Sequence, residues 1–543
     1  MAKSQPFTVA CNGGLIKSVN SIDLLKTPGA AKILENFEVS VEGGYRRING
    51  YAKFGTTSAT KPTGSTTNIL GVFPYADGVV ACAATGIYFS QDGITWIEIT
   101  RSSVDANGDN YTTFTGRSTL TRTNQGQCQF ALFEGPTYDY GLLVIADGAN
   151  KPYYFRMEGT GALASRTYFA GEITVDGTNG VKYVTIHDKH LIAAGVENNE
   201  SNVYYSAYTA AHSSGSDTLS PTSFTGTGSG AITISDKIVG IKGFRQDLFI
   251  FCENSIHKLI NINDSSNIAV VPVAENVGCL SGYSIQEIGG DIVFLAQDGI
   301  RTVAGTARIG DVELGTVSKN IQPIMVTIAQ NIEDYIIDSV VIREKSQYRL
   351  YYSNVALGNT SQKGIIGTLR PDGFQWSETV GLEVTSVNSN FDTDGVEVYY
   401  HGDTNGYVYT HDTGYEFDGS NINAKYQTSD YDYGDLGTLK TMHYVKLSIA
   451  PEAAITPTLR VRYDYDTTNL PQPSDYSLDI PAPAIFGSTT FGSANFGAGE
   501  QPLTRVALQG SGHSNSFRIF SDDKKASYIV NGFYIDFIPS GRR

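Results

Sequence analysis

The sequence predicts an all-β fold: a β-propeller of six or seven blades, preceded by an N-terminal arm and followed by a β-sandwich-like domain. Three observations predict it. The 543 residues include 58 Gly, 33 Tyr and 25 Phe but only 4 Met, and 17% are charged. That is the composition of strands and tight turns, not of helices, which draw on Ala, Leu, Glu and Lys. Strand-rich units begin near Ile69, Phe130, Val184, Val239, Ile285, Val340 and Val384, at spacings of 61, 54, 55, 46, 55 and 44 residues. Such spacings approach the period of propeller blades. The last 120 residues lose this period and alternate apolar with polar residues. Two stacked β-sandwiches with coincidental spacing are the alternative architecture.

The elements divide as 1–50, 51–423 and 424–543. In the middle zone, ILGVFPY, VVACAA, IYFSQ and ITWIEIT follow one another from Ile69 to Thr100, separated by Asp77-Gly78, Thr85-Gly86 and Asp92-Gly93. Asp-Gly supplies the positive φ of a tight hairpin, so this unit reads as one four-stranded meander. Near-continuous apolar strands such as DIVFLAQ and DLFIFC suit blades covered on both faces. Ser201–Gly230, rich in Ser, Thr and Gly, reads as an inserted surface loop. Ser318–Tyr335 is the best helix candidate, with Ile321, Met325, Ile328 and Ile332 on one face and Pro323 in the first turn. Near the C-terminus, RVRYDYD and FYIDF alternate as half-exposed strands do, predicting a sandwich of about 120 residues. Between such strands Phe-Gly recurs at Phe486, Phe491 and Phe496, a loop expected to dock on its own core or on another subunit.

Net charge is −16. Residues 1–50 hold 6 basic and 4 acidic residues, whereas 51–423 hold 22 and 39. This argues against a protein that grips nucleic acid by neutralising phosphates. Cys11, Cys82, Cys128, Cys252 and Cys279 are widely spaced with no CxxC, as expected of buried free thiols in a reducing compartment. The N-terminus lacks a signal-peptide core, and no run of 18 apolar residues predicts a membrane span. His187 and His190, and His401 and His411, read as turn residues rather than metal ligands. Asp105–Asn110 resembles a fragment of a calcium loop but has Gly116 where the distal Glu belongs. Asp430, Asp432 and Asp435 read as solvated turn acids. There is no G-x-S-x-G and no P-loop. Trp96 and Trp376 both close a DG-x-x-W unit and are expected in blade cores rather than as sugar platforms.

The N-terminal arm carries a specific string. Gly13-Gly14-Leu15 leads to Pro28-Gly29-Ala30-Ala31, then to LENFEV from Leu34 and to GGYRRINGY from Gly43 to Tyr51. It resembles the start of β-propeller virion proteins of tailed bacteriophages, the tail tube, nozzle or tail accessory proteins of short-tailed phages. SDYDYGDLG, the Phe-Gly loop, GSGHSNSFRI (510–519) and the final GRR are similar to their C-terminal part. The resemblance implies a homo-oligomeric ring, a hexamer coaxial with the portal. Its partners would be adaptor or portal-proximal proteins, with tail fibres or spikes possible, and DNA would pass without specific binding. The location implied is the virion tail, after synthesis in the host cytoplasm.

Within that expectation Gly43-Gly44 turns a hairpin with arms at 39–41 and 46–48. An arm with little core of its own would find one on a neighbour, through Phe37, Tyr45, Arg46, Arg47 and Tyr51, with Phe486, Phe491 and Phe496 as further contacts. Deleting 1–50 would then leave a soluble β-rich monomer. The acidic middle would repel phosphate along the conduit, and Ser201–Gly230 would be a loop able to narrow it. No catalytic residue, cofactor or metal is expected. The alternatives are a receptor- or glycan-binding virion propeller and a tail-associated polysaccharide hydrolase.

Overall fold

The computed structural model describes residues 4–100, 120, 122, 126–134, 139–161, 165–177, 179–207, 224, 228–264, 266–304, 316–354, 362–482 and 503–542. Six self-contained sheets of three or four strands form propeller blades. Five of them run through consecutive antiparallel strands, at 69–98, 129–172, 181–233, 238–275 and 286–302. The sixth combines Ser386–Phe391, Glu397–Gly402 and Val408–His411 with Tyr51–Lys53 from the N-terminal arm. A four-stranded unit at 335–380 fills the sector between the blades at 286–302 and 386–411. Its outer strand continues into the sheet of the C-terminal domain. The seven first strands start within five residues of the seven unit starts read from the sequence. Their arrangement about one axis excludes two stacked sandwiches.

The blades hold together by covering each other's faces. Val80, Cys82 and Phe89 of the first blade pack on Leu143, Ile145 and Phe155 of the second. Phe249 and Phe251 of the fourth meet Ile292 and Phe294 of the fifth in the same way. Each such side chain contributes about 1.5–3 kcal/mol by leaving water. Because both faces are covered, strands such as Leu142–Ala146 are buried at every position, which explains their unbroken apolar sequence. The predicted helix forms at Gln322–Gln330, flanked by 3-10 turns, with Pro323 in its first turn and Ile324, Met325 and Ile328 buried. Ser201–Tyr205, expected as loop, belongs to the blade strand Asn199–Tyr205; most of the remainder of that segment lies outside the described residues.

The C-terminal domain is two stacked sheets, and the arm is part of both. One sheet orders Phe37–Val39, Tyr45–Arg47, Tyr528–Arg542, Thr438–Pro451 and Leu503–Ala507, with Gln5–Ala10 also pairing on Tyr528–Arg542. The facing sheet carries Ala31–Glu35, Ile422–Thr428, Asn515–Asp523, Thr458–Tyr463 and Tyr476–Ser477. Ala31–Glu35 lies between Gly373–Val380 of the propeller and Ile422–Thr428 of the sandwich. It therefore joins the two bodies edge to edge. Tyr51–Lys53 then closes the last blade, pairing His411 with Tyr51 and Tyr409 with Lys53.

The arm has no core of its own, as expected, but it finds one within the same chain rather than on a neighbouring subunit. Its partners run from Glu378, paired with Glu35, to Phe537, paired with Gln5, and its side chains fill that core. The Gly43-Gly44 hairpin forms, with its arms at Phe37–Val39 and Tyr45–Arg47 rather than at 39–41 and 46–48, pairing Phe37 with Arg47 and Val39 with Tyr45. Two glycines of the N-terminal string are dictated by close approach. A Cβ on Gly14 would lie 2.8 Å from the backbone nitrogen of Trp376, and one on Gly50 1.9 Å from the carbonyl oxygen of Glu416.

Candidate functional site

The first strands of all seven radial units enclose an axial cavity of about 410 Å³. Polar side chains dominate its wall, among them Gln129, Lys242, Gln286, Asp338, Arg343 and Asn388. At one end it is crossed by hydrogen bonds between units, two of them joining units that are not neighbours. Tyr283 of the fifth sector donates its hydroxyl to the Gln127 carbonyl of the second at 2.8 Å. Gln127 donates in turn to the Ile337 carbonyl at 3.0 Å, and Ser339 Oγ to the Tyr283 carbonyl at 2.6 Å. The cavity is thus tied shut there. It is far too small for a duplex whose major groove alone is about 12 Å wide. A DNA path cannot run through the axis of one chain.

Asp338 lies in this wall. Its carboxylate accepts the backbone N–H of Val387 at 2.8 Å and of Ser339 at 2.9 Å. Burial nevertheless raises its pKa to about 7, against the pull of those donors. The Val387 bond ties the sixth sector to the seventh. Burial likewise lowers Lys242, a shift opposed by Glu287 and reinforced by Arg343. Arg343 itself is held by Glu397 at 3.2 Å.

The arm residues expected at a subunit interface meet at the junction of arm, propeller and sandwich. Phe37, Tyr45 and Arg47 are fully buried there. Phe37 packs edge-on against Tyr528 and Tyr426. Tyr45 donates its hydroxyl to the Gly29 carbonyl at 2.7 Å and accepts the Gly14 N–H at 3.1 Å. Arg47 donates to the carbonyls of Lys525, Asp523 and Ile422 and pairs with the Asp523 carboxylate at 3.1 Å. Arg46 is spent on Glu38 and Glu452. Tyr51, half-buried, stacks on Phe417 and meets His401 edge-on. These five are therefore contacts of the chain with itself. Phe486, Phe491 and Phe496 lie outside the described residues.

A charged network beside this junction has no local signal in the sequence. The buried Glu38 carboxylate receives Arg46 at 3.0 Å, Lys345 at 3.1 Å, Gln347 at 3.2 Å and Arg349 at 3.1 Å. Arg349 and Lys345 also engage Asp412. Burial alone would raise Asp412, but Arg349 and Lys345 hold it well below the usual carboxylate range. Next to Asp412, His411 and His401 face each other with their Nδ1 atoms 3.1 Å apart. Both are strand residues buried in the last blade, not turn residues. Burial drives the His401 pKa well below its ordinary value and that of His411 to about 3.

The other candidates resolve structurally. His187 and His190 pair across a two-residue turn in which Asp188 and Lys189 take positive φ. His190 bonds the Ser206 carbonyl and Asn263. Asp430 is buried and pairs with Lys32 at 3.2 Å, whereas Asp432 and Asp435 accept the backbone N–H groups of Gly434 and Gly437. Trp376 is a fully buried core residue; Trp96 is half-buried and donates to the Thr60 carbonyl. All five cysteines are buried free thiols. The calcium-like segment at 105–110 lies outside the described residues. Among the described residues no three His, Cys, Asp or Glu side chains converge as a metal set, and no helix is long and apolar enough to cross a membrane.

Fold and junction together define a β-propeller that carries a sandwich woven from both ends of the chain. No protein-family model and no curated protein matches the sequence. Among solved structures, the chain is similar to PorZ, a bacterial surface component of the type-IX secretion system of Porphyromonas gingivalis. That match has 10% identity and a TM-score of 0.37, covering 81% of this chain and 59% of PorZ. It is also similar to the Pan2 WD40 domain of Neurospora crassa, at 9% identity and TM-score 0.25 over 64% of this chain and 76% of that one. The AfRom2 CNH domain matches at 10% identity and TM-score 0.32, over 65% of this chain and 97% of that one.

Proposed function

We propose that this chain is a structural subunit of a short-tailed phage tail, a nozzle or tube protein that assembles into a ring below the portal and adaptor. One observation carries the reading. The N-terminal string packs on SDYDYGDLG, one of the C-terminal segments that resemble such proteins. Tyr431, in SDYDYGDLG, donates its hydroxyl to the carbonyl of Pro28, in the PG-A-A string, at 2.7 Å. Tyr426, just before it, packs against Phe37 and Tyr45. The motif residues are thus mutually constraining, as a shared structural module requires.

The role is mechanical. The genome would run between copies, along the axis of the ring, because the propeller axis is tied shut. The acidic propellers would line or flank that path and leave phosphate unbound. Mass photometry of the purified full-length chain, followed by negative-stain imaging, tests this. A ring of about six copies, alone or on addition of adaptor, is the expected result. A stable monomer or trimer that binds host polysaccharide would replace it with a receptor-binding role.

A further inference from the structure

The outer face of the sandwich sheet that contains Thr438–Pro451 is unusual for so acidic a chain. Lys446 stands directly across from Arg505 on one neighbouring strand and from Tyr534 on the other. Tyr444, two residues along, completes the set. The Arg505 guanidinium lies 4.4 Å from the Tyr444 ring centre, and Lys446 lies 5.7 Å and 5.5 Å from Tyr444 and Tyr534. The two rings are near-parallel at 6.4 Å. Neither cation forms an ion pair among the described residues, although acids outnumber bases 55 to 39 in the chain. The acid beside Tyr444, Asp536, is buried and taken up by Ser4 and His443. With their faces occupied by cations, the tyrosines offer edges and positive heads rather than free stacking platforms. Tyrosine and arginine grouped in this way favour protein contacts.

A complementary surface exists on the same chain. At the third and fourth blades, Glu200, Asp236 and Glu253 gather around Lys237, and Glu275 lies alongside, across from the Ser255 that bonds Asp236. Lys237 lies 3.0 Å from Glu200 and 3.6 Å from Glu253. Asp236 accepts the Asn254 N–H at 2.9 Å, and Glu275 pairs across from Ser255. Lys182 also lies within electrostatic reach of Lys237 and Glu200, so four acids against two bases leave this rim negative. In a ring of seven sectors, the third lies opposite the boundary of the sixth and seventh, where the sandwich is attached. Two different, complementary patches on one chain make a heterologous contact, the kind that closes rings.

We propose that the Tyr444–Lys446–Arg505–Tyr534 face docks on the acidic rim of the third and fourth blades of a second copy of this chain. This rests on the ring reading above and assigns its interface. The test compares the full-length chain with Lys446→Glu/Arg505→Glu, with Glu200→Lys/Glu253→Lys and with all four changes combined, by mass photometry over a concentration series. Circular dichroism confirms that these surface variants stay folded. Each double variant should need roughly tenfold or more protein to assemble, and the combined variant should recover most of that loss. If the Lys446/Arg505 variant assembles like the unaltered chain, or the charge swap restores nothing, the interface is wrong while the ring reading stands. If the unaltered chain never self-associates, either alone or with adaptor, both fail.

Discussion

His401 and His411 are neutral in the fold because burial strips the charged form of its hydration, and each would face the other's charge. An unfolded imidazole takes up a proton below about pH 6.5. The unfolded state therefore binds more protons than the folded one between about pH 6.5 and the depressed folded values, and stability falls as pH falls through that window. The groups facing the pair are Tyr51, Tyr351, Tyr399, Tyr409, Asp412, Arg349 and Lys345. His401→Phe keeps a ring against Tyr409 and removes one titrating site. We expect urea unfolding of this variant to lose about 2 kcal/mol less than the unaltered chain between pH 7.5 and pH 5. Equal losses would show that the pair does not titrate on unfolding. Arg47 makes the opposite kind of contribution, since its charge is buried but well partnered. Arg47→Met leaves the carbonyls of Ile422, Asp523 and Lys525 without that donor and should cost about 3–5 kcal/mol, read as a lower urea midpoint. A cost under about 1 kcal/mol would mean that water replaces the guanidinium freely.

At the scale of elements, local signals were legible and distant pairings were not. The hairpin at 43–44 and the helix with Pro323 follow from turn chemistry and periodicity within a dozen residues. So do the seven unit starts. The turn read at Asp77-Gly78 falls one residue earlier, on Ala76-Asp77, with Ala76 rather than Gly78 at positive φ. The arm was misplaced because strand pairs such as Phe7 with Ile535 and Leu34 with Tyr426 leave no trace in either segment alone. What the sequence did show there, a segment without its own core, is correct, but the core is supplied by the same chain. His401 and His411 were read as turns because HGD and HDTG look like turns; the strands end only one or no residues later. A direct consequence follows for truncation. Removing 1–50 deletes strands from both sandwich sheets and uncovers Tyr426, Tyr528 and Phe533. The truncated chain should be insoluble or lack a cooperative unfolding transition. A soluble truncated protein with the parent's circular dichroism and a sharp transition would show that the arm is dispensable to the fold.

For the whole molecule, charge decides how a conduit could work. Residues 51–423 carry 39 acids against 22 bases, and Arg122, Arg166 and Arg349 in that stretch are turned inward onto Asp147, Asp77 and Asp412. Fewer cations are then left to meet phosphate than the composition suggests. A protein that binds duplex DNA must neutralise several phosphates and release their counterions, and its affinity then rises steeply as salt is lowered. The assembled protein should therefore not retain duplex DNA in a filter or gel-shift assay even at about 50 mM salt, where such binding is strong. The expectation extends to the sandwich cations, because in the proposed ring Lys446 and Arg505 would be covered by the acidic rim of the next copy. Retention by the monomeric Lys446→Glu/Arg505→Glu variant would point to another basic surface and would remove the physical basis for free sliding. Retention by the assembled protein alone would place that surface in the channel, turning the conduit from one that repels the genome into one that grips it.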